Sequence, residues 1–171
     1  MSDLCIVEGK TEEHLIKSLR EAKIIWTGRI EVINLFQRKL GNKILSKKWG
    51  RVHCVIDTDV TTSQHLNIFN DNLDKISAKE VQVLMQNKNF EDALCHCTSL
   101  DNIQKLYRFF DAAGEGEFKA NFLKTRNVLD RLQQKGFDHK LMYSNNNSHY
   151  EEMRKKIITN SKIKIKDHFN S

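Results

Sequence analysis

The sequence predicts an α/β domain of Rossmann-like type: a parallel sheet of about four strands flanked by helices, with a helical C-terminal half. Three observations predict it. Over residues 1–90, short apolar runs alternate with stretches of helical spacing, the pattern of strands joined by crossover helices. Two of those runs end directly in acidic residues, as strands do when their carboxyl ends meet a ligand-binding edge. From Asn89 onward the spacing turns helical.

Taken in order, Leu4-Cys5-Ile6-Val7 is a continuous apolar run, the mark of a strand buried on both faces. Glu8-Gly9-Lys10 breaks it, and Thr11 is placed to cap a helix with Leu15, Ile16, Leu19 and Ala22 on one face. Residues 30–35 form a second strand, followed by a Lys- and Arg-rich helix over 37–47 that Gly41 weakens. Val52-His53-Cys54-Val55-Ile56 is a third strand and runs straight into Asp57-Thr58-Asp59. A helix over 63–76 carries Leu66, Phe69 and Leu73. A fourth strand over 79–85 places Val81, Val83 and Met85 on one side. Helices are expected over 90–97, 101–110, 117–123 and 126–135, then a short fifth strand over 137–142 and a loop over 145–148. A last helix covers 150–158, and the tail beyond Thr159 is expected to fray. The chain therefore reads as one domain over 1–160, with a core at 1–90 and a helical extension at 90–160, followed by a basic tail at 161–171.

A chain of 171 residues supports one hydrophobic core. Its 39% hydrophobic and 29% charged content excludes a disordered or membrane-embedded chain. No apolar run approaches the roughly 18 residues that span a bilayer, so no membrane partner is expected. Met1-Ser2-Asp3-Leu4 lacks the basic and apolar regions of a secretory signal. Cys5, Cys54, Cys95 and Cys97 show no disulfide spacing, so the expected location is cytoplasmic, with reduced thiols. The net charge of +6 suits a partner rich in phosphate, and nucleic acid is the expected one. Its candidate contacts are Arg38, Lys39, Lys43, Lys47, Lys48 and Arg51, close in sequence to the Asp57 motif. A second basic group comprises Arg154-Lys155-Lys156 and residues 162–166.

Glu8 follows one apolar strand, and Asp57 and Asp59 follow another. If those strands are neighbours in a parallel sheet, three carboxylates meet at one edge. Asp57 and Asp59, two apart, share a face of an extended segment. Hard oxygen ligands in that number suit Mg²⁺, with Mn²⁺ as a substitute, and like charges so concentrated are costly without a cation. Glu12, one helical turn beyond Glu8, reaches the same edge and makes a second metal position conceivable. Glu91 and Asp92 follow the fourth strand; both suit a helix cap, and Glu91 is the better additional ligand. Cys95-His96-Cys97 lacks the second ligand pair of a zinc site. Phe109, Phe110, Phe118 and Phe122 read as core or as a partner-binding face. Trp26 and Trp49, each beside basic residues, read as buried or as nucleic-acid contacts.

At these residues the chain resembles the TOPRIM family, shared by topoisomerases, primases and several nucleases. The resemblance rests on Ile6-Val7-Glu8-Gly9 and on Val55-Ile56-Asp57-Thr58-Asp59, and covers about the first 90 residues. Glu8-Gly9-Lys10-Thr11-Glu12 is more similar to the nuclease branch of the OLD type than to primases. Gln86-Asn87-Lys88-Asn89-Phe90-Glu91 resembles stand-alone TOPRIM proteins of bacterial phage defence. The resemblance implies Glu8 as general acid or base and metal contact, Asp57 and Asp59 as metal ligands, and Gly9 as the residue keeping the turn tight. A cation would be needed to neutralise the leaving group, and charge and position in the sequence, rather than the resemblance, point to Lys10 or Lys119. The tyrosine-bearing, zinc and ATPase modules of the familiar relatives are not visible, and there is no GxxxxGK[ST] loop.

The expected function is thus a Mg²⁺-dependent nuclease acting on DNA or RNA, a toxin-like antiviral effector by resemblance. A second expectation is a binding or regulatory subunit that needs a partner such as an ATPase, motivated by the phenylalanines of the second half. A third is a phosphatase or nucleotidyl-transfer enzyme using the same acidic edge.

Overall fold

The four residues of β1 (Leu4–Val7) are buried without exception, as a strand covered on both faces must be. A computed structural model of the chain describes residues 1–59, 62–144 and 148–169. In it β1 pairs in parallel with β2 (Arg29–Val32) on one side and β3 (Trp49–Ile56) on the other. β3 continues to β4 (Ala78–Met85), and β4 to β5 (Ile163–Lys166). The five-stranded order is β2-β1-β3-β4-β5, and every pairing is parallel. In this doubly wound order the winding reverses between β1 and β3, which opens a crevice outside their carboxyl ends.

Alternation along the strands sends Cys5, Val7, Val55 and Leu84 to one face and Leu4, Ile6, Cys54 and Val83 to the other. The first face is covered by α1 (Lys10–Glu21), α4 (Phe90–His96), α5 (Ile103–Phe109), α6 (Glu115–Lys124) and α7 (Val128–Gln133). The second packs on α2 (Asn42–Leu45), α3 (Ser63–Lys75) and α8 (Ser148–Lys156). Phe110, Phe118 and Phe122 stack edge-on or tilted in the first layer and are fully buried, so these rings are core. Of the two readings of the phenylalanines, core holds for these three, and Phe109 packs half-buried against the same cluster. Among the described residues no helix is long and apolar enough to cross a membrane.

Several expectations fail for local reasons. The second strand stops at Val32 rather than at 35, and the helix expected over 37–47 shrinks to the single turn α2, entered through Gly41. Buried Asn72 of α3 explains this. Its amide donates to the carbonyls of Leu35 and Arg38 (both 2.8 Å), and its oxygen accepts from Leu40 N (2.9 Å). Those side-chain bonds satisfy the loop backbone in place of helical ones. Thr11 does not cap α1; Gly9 holds that position, and the Thr11 hydroxyl donates to Glu12. The strand expected over 137–142 is a 3₁₀ turn, His139–Leu141, whose Lys140 N–H donates to Asp138.

Up to residue 169 the tail does not fray, and it joins the sheet. Ile163–Lys166 is the fifth strand, with Ile163 buried and Lys164 ion-paired to Glu80 at 3.5 Å. Of the loop expected over 145–148, residues 145–147 lie outside the described residues, and Ser148 opens α8.

Candidate active site

A cavity of about 610 Å³ opens at the carboxyl edge of the sheet, over the β1/β3 crevice. Glu8, Lys10, Glu12, Asp57, Asp59, Glu91 and Lys119 all line it. Every residue expected to act as acid, base, cation or metal ligand is therefore brought to one place, although Glu8 and Lys119 stand 111 positions apart in sequence.

Each acid is held by a different element. Glu8, just past β1, accepts hydrogen bonds from the Asn34 amide (2.9 Å) and from the Asp57 backbone N–H (3.1 Å). Asn34 cannot turn its amide around, because its oxygen already accepts from Phe36 N (3.0 Å) and Gln37 N (3.2 Å). This residue escaped the sequence reading because it lay inside the strand expected over 30–35; a shorter strand would have exposed it as an Asn turn.

Thr58, the middle residue of the Asp-Thr-Asp motif, fixes the aspartates. Its hydroxyl donates to Gln86 O (2.9 Å) and accepts from Lys88 N (2.9 Å). The backbone N–H groups of Thr58 and Asp59 both donate to Lys88 O (2.7 and 3.2 Å). Lys88 takes φ 55 to present that carbonyl, a left-handed conformation uncommon for a lysine.

Glu12 is buried in the first turn of α1, and Thr11 donates to it at 3.0 Å. A Cβ at position 9 would come within 2.7 Å of the Glu12 carboxylate. Gly9 is therefore small to leave room for Glu12, since its φ of −136 is open to any residue. Glu91 does not cap α4. Asn89 does so by accepting from Asp92 N (3.0 Å), which leaves Glu91 buried and facing the cavity.

The opposite wall comes from the helical half. Lys119 of α6 approaches Glu91 at 3.6 Å and pairs with Glu115. Tyr107 of α5, unnoticed in the sequence, also lines the cavity, its ring backed by Phe118 at 5.4 Å between centroids. Lys10 points to solvent in an ion pair with Glu13 (2.7 Å).

Electrostatically the cavity sets Glu8, Glu12, Asp57, Asp59, Glu91 and Glu115 against two lysines, in a chain that is basic overall. Burial, reinforced by Glu8, Glu12, Asp59 and Glu91, pushes the Asp57 carboxyl up to about 9. Burial raises Glu8 to about 7; the Asp57 N–H works against that rise, and Glu12 and Asp59 support it. Burial also raises Glu12 and Glu91, the latter countered by Lys119. For Lys119 burial acts to lower its value, but the hydrogen bond it donates to Glu115 and the charge of Glu91 leave it raised.

These residues fit a divalent cation chemically. The Oδ1 of Asp57 is buried and lacks a hydrogen-bond partner, whereas the buried Oε1 of Glu91 has the Lys119 ammonium at 3.6 Å. An orphaned carboxylate oxygen such as that of Asp57 requires a proton or a cation. Among the described residues, no group of three or more histidine, cysteine, aspartate or glutamate side chains is placed to hold a metal ion as it stands. Glu8 and Glu12 are meanwhile occupied by Asn34, the Asp57 N–H and Thr11.

The expected nucleic-acid contacts do not join the cavity. Lys47 and Lys48 precede β3, whose eight residues span about 26 Å, so they lie at the opposite edge of the sheet. Lys47 sits over the buried Trp49 ring at 5.6 Å. Lys43 pairs with Glu31 at 3.4 Å and Arg51 with Glu80 at 3.6 Å. Arg38 and Lys39 are exposed on the loop that Asn72 clamps. All four cysteines are free thiols.

Comparison with protein-family models, with curated proteins and with solved structures found no match.

Proposed function

We propose that the chain is a Mg²⁺-dependent nuclease of TOPRIM type that hydrolyses phosphodiester bonds of DNA or RNA. The observation that carries the reading is the meeting of Glu8 with Asp57 across β1 and β3, beside an Asp57 oxygen that is buried and unpartnered. Asp57 and Asp59 would hold Mg²⁺ or Mn²⁺ together with Glu8, and Glu12 and Glu91 are the acids available to a second ion. Bound there, the cation would supply Lewis acidity to a phosphoryl oxygen and lower the pKa of attacking water.

The chain's own groups do the rest. In the metal-free site burial raises the Glu8 carboxyl to about 7, so Glu8 exchanges a proton with the attacking water or the leaving oxygen where Asp57 and Asp59, rather than Glu8, hold the ion. Asn34 keeps that carboxylate oriented, and Thr58 keeps the aspartates at the edge. Lys119, on the opposite wall, neutralises charge on the departing oxygen; Lys10, tied to Glu13 and turned to solvent, is the weaker choice. Action as a phage-defence effector rests on the family resemblance alone, and a cytoplasmic setting on the cysteine spacing.

The test incubates purified protein with end-labelled single- and double-stranded DNA and RNA, in Mg²⁺, Mn²⁺ or EDTA. Cleavage that needs the metal and disappears in Glu8→Gln and Asp57→Asn supports the reading. Cleavage unchanged in both variants, or hydrolysis confined to p-nitrophenyl phosphate, removes it.

A further inference from the structure

A second recess, of about 480 Å³, lies where α1 ends and the chain turns into β2. It belongs to the edge of the sheet away from the acidic cavity, because α1 begins at Lys10 in that cavity and runs about 18 Å to Glu21. Arg20, Lys23, Ile24, Ile25, Trp26 and Thr27 line it. Trp26 is 70% exposed, whereas Trp49 is buried with its indole N–H donating to Ile44 O. The floor is held: Lys23 N donates to Arg20 O and Ile24 N to Leu19 O, and the Arg20 guanidinium donates to Gly28 O (all 2.9–3.0 Å). No carboxylate lines the recess, and neither Arg20 nor Lys23 forms an ion pair among the described residues.

We propose that this recess is a stacking platform for single-stranded nucleic acid, with Trp26 taking a base and Arg20 and Lys23 the flanking phosphates. An open aromatic face bounded by cations is the chemistry of sequence-tolerant single-strand binding. Charge complementarity selects a polyanion over an acid-balanced protein surface. A stable dimer needs about 800 Å² on each partner with an apolar centre, and the recess offers one indole and the edges of two isoleucines. The proposal draws on the nuclease reading for the identity of the strand, and it provides the positive surface that the acidic cavity lacks.

The experiment measures fluorescence anisotropy of a labelled thymidine oligonucleotide of about 12 nucleotides, within single-strand site sizes, in EDTA so that cleavage cannot intervene. Trp26→Ala weakens binding about tenfold and Trp26→Phe less. Lys23→Ala lowers the salt slope by about one. Binding also quenches wild-type tryptophan emission, which the buried Trp49 cannot account for. If Trp26→Ala fails to fold, the Phe and Lys23 variants carry the test.

Equal affinity of wild type and the Trp26 variants overturns the platform; metal-dependent cleavage retained in those variants then leaves the nuclease reading standing. Weakened binding in a chain that cleaves nothing with any metal supports the platform and removes the nuclease. A wild-type dimer that Trp26→Ala dissolves on size exclusion, without any change in oligonucleotide affinity, overturns the platform in favour of self-association.

Discussion

The Glu8 carboxylate accepts the backbone N–H of Asp57 at 3.1 Å, and this one bond ties the carboxyl end of β1 to that of β3. Because the winding of the sheet reverses between those strands, the bond lies at the mouth of the crevice where α/β sheets gather ligands. Burial, with the Glu8 charge next, raises the proton affinity of Asp57, while the Asp57 N–H works against the burial-driven rise at Glu8.

That coupling has a pH consequence. Asp57 at about 9 and Glu8 at about 7 both lie above ordinary carboxylate values. At these two groups the folded chain binds more protons than the unfolded one between about pH 4 and 9, so the stability they contribute falls as pH rises through that window. Without metal, Asp57→Asn should raise Tm by several degrees near pH 8 and leave it unchanged near pH 4, since about 1 kcal/mol moves Tm of such a chain by roughly 2–4 °C. Melting curves in EDTA across that range check it; a variant less stable near pH 8 contradicts the assigned shift.

Divalent cations should reverse the same penalty. Mg²⁺ or Mn²⁺ at about 100 times its Kd should stabilise the wild type by about 2.7 kcal/mol. Asp57→Asn and Glu8→Gln should lose most of that gain. Calorimetric titration and melting with and without the ion are the measurements. Equal responses in all three proteins would place the cation elsewhere.

Asn34 acts through Glu8. Its oxygen is occupied by two backbone donors, so its amide N–H is available only to the carboxylate. Asn34→Ala should weaken metal binding roughly 10- to 100-fold, the usual effect of losing an outer-shell partner. Asn34→Asp, which adds a like charge, should be worse and should push the acidic limb of the pH–rate profile upward. Unaltered metal affinity in both would leave Asn34 a turn residue only.

Much of this site was legible because apolar runs that stop at an acid announce both a strand and its ligand edge. Leu4 to Glu8 and Val52 to Asp59 carry that signal without help from the rest of the chain. Asn34 and Thr58 were hidden because hydrogen bonds formed across the fold give them their roles. Asn72 shows the same limit, since a buried amide on α3 decides that residues 37–41 stay out of a helix. The fifth strand failed differently. Ile163-Lys164-Ile165-Lys166 has the period of two that marks a strand, but its lysines read as a solvated tail until β4 was there to pair with it.

Thr58 offers a test of rigidity at the metal edge. Thr58→Val keeps the shape but removes the hydroxyl that bonds Gln86 O and Lys88 N, two buried or half-buried groups. The expected cost is about 1–3 kcal/mol in denaturant unfolding, because those backbone groups lose their partner. Metal affinity should fall in parallel as the Asp57–Asp59 turn loosens. A stability loss with unchanged metal affinity would separate the clamp from the ligands.

Gly9 separates the role of Glu12 from that of its helix. Acids in a first turn are favoured by the macrodipole, so Glu12→Ala alone mixes loss of a ligand with loss of helix stability. Gly9→Ala leaves the Glu12 side chain intact and intrudes on it, because the new methyl would meet Oε2 at 2.7 Å. The backbone at Gly9 is extended, so the substitution adds no conformational strain; the poorer helix cap costs about 1 kcal/mol or less. If Glu12 serves the cavity, Gly9→Ala should cut metal affinity and cleavage severalfold while Tm shifts by only a few degrees. If Glu12 serves only α1, cleavage should persist and the small Tm change should be the whole effect. Parallel Mn²⁺ titrations and melting curves of Gly9→Ala and Glu12→Gln decide between them, since the glutamine variant keeps the helix contacts and removes only the charge.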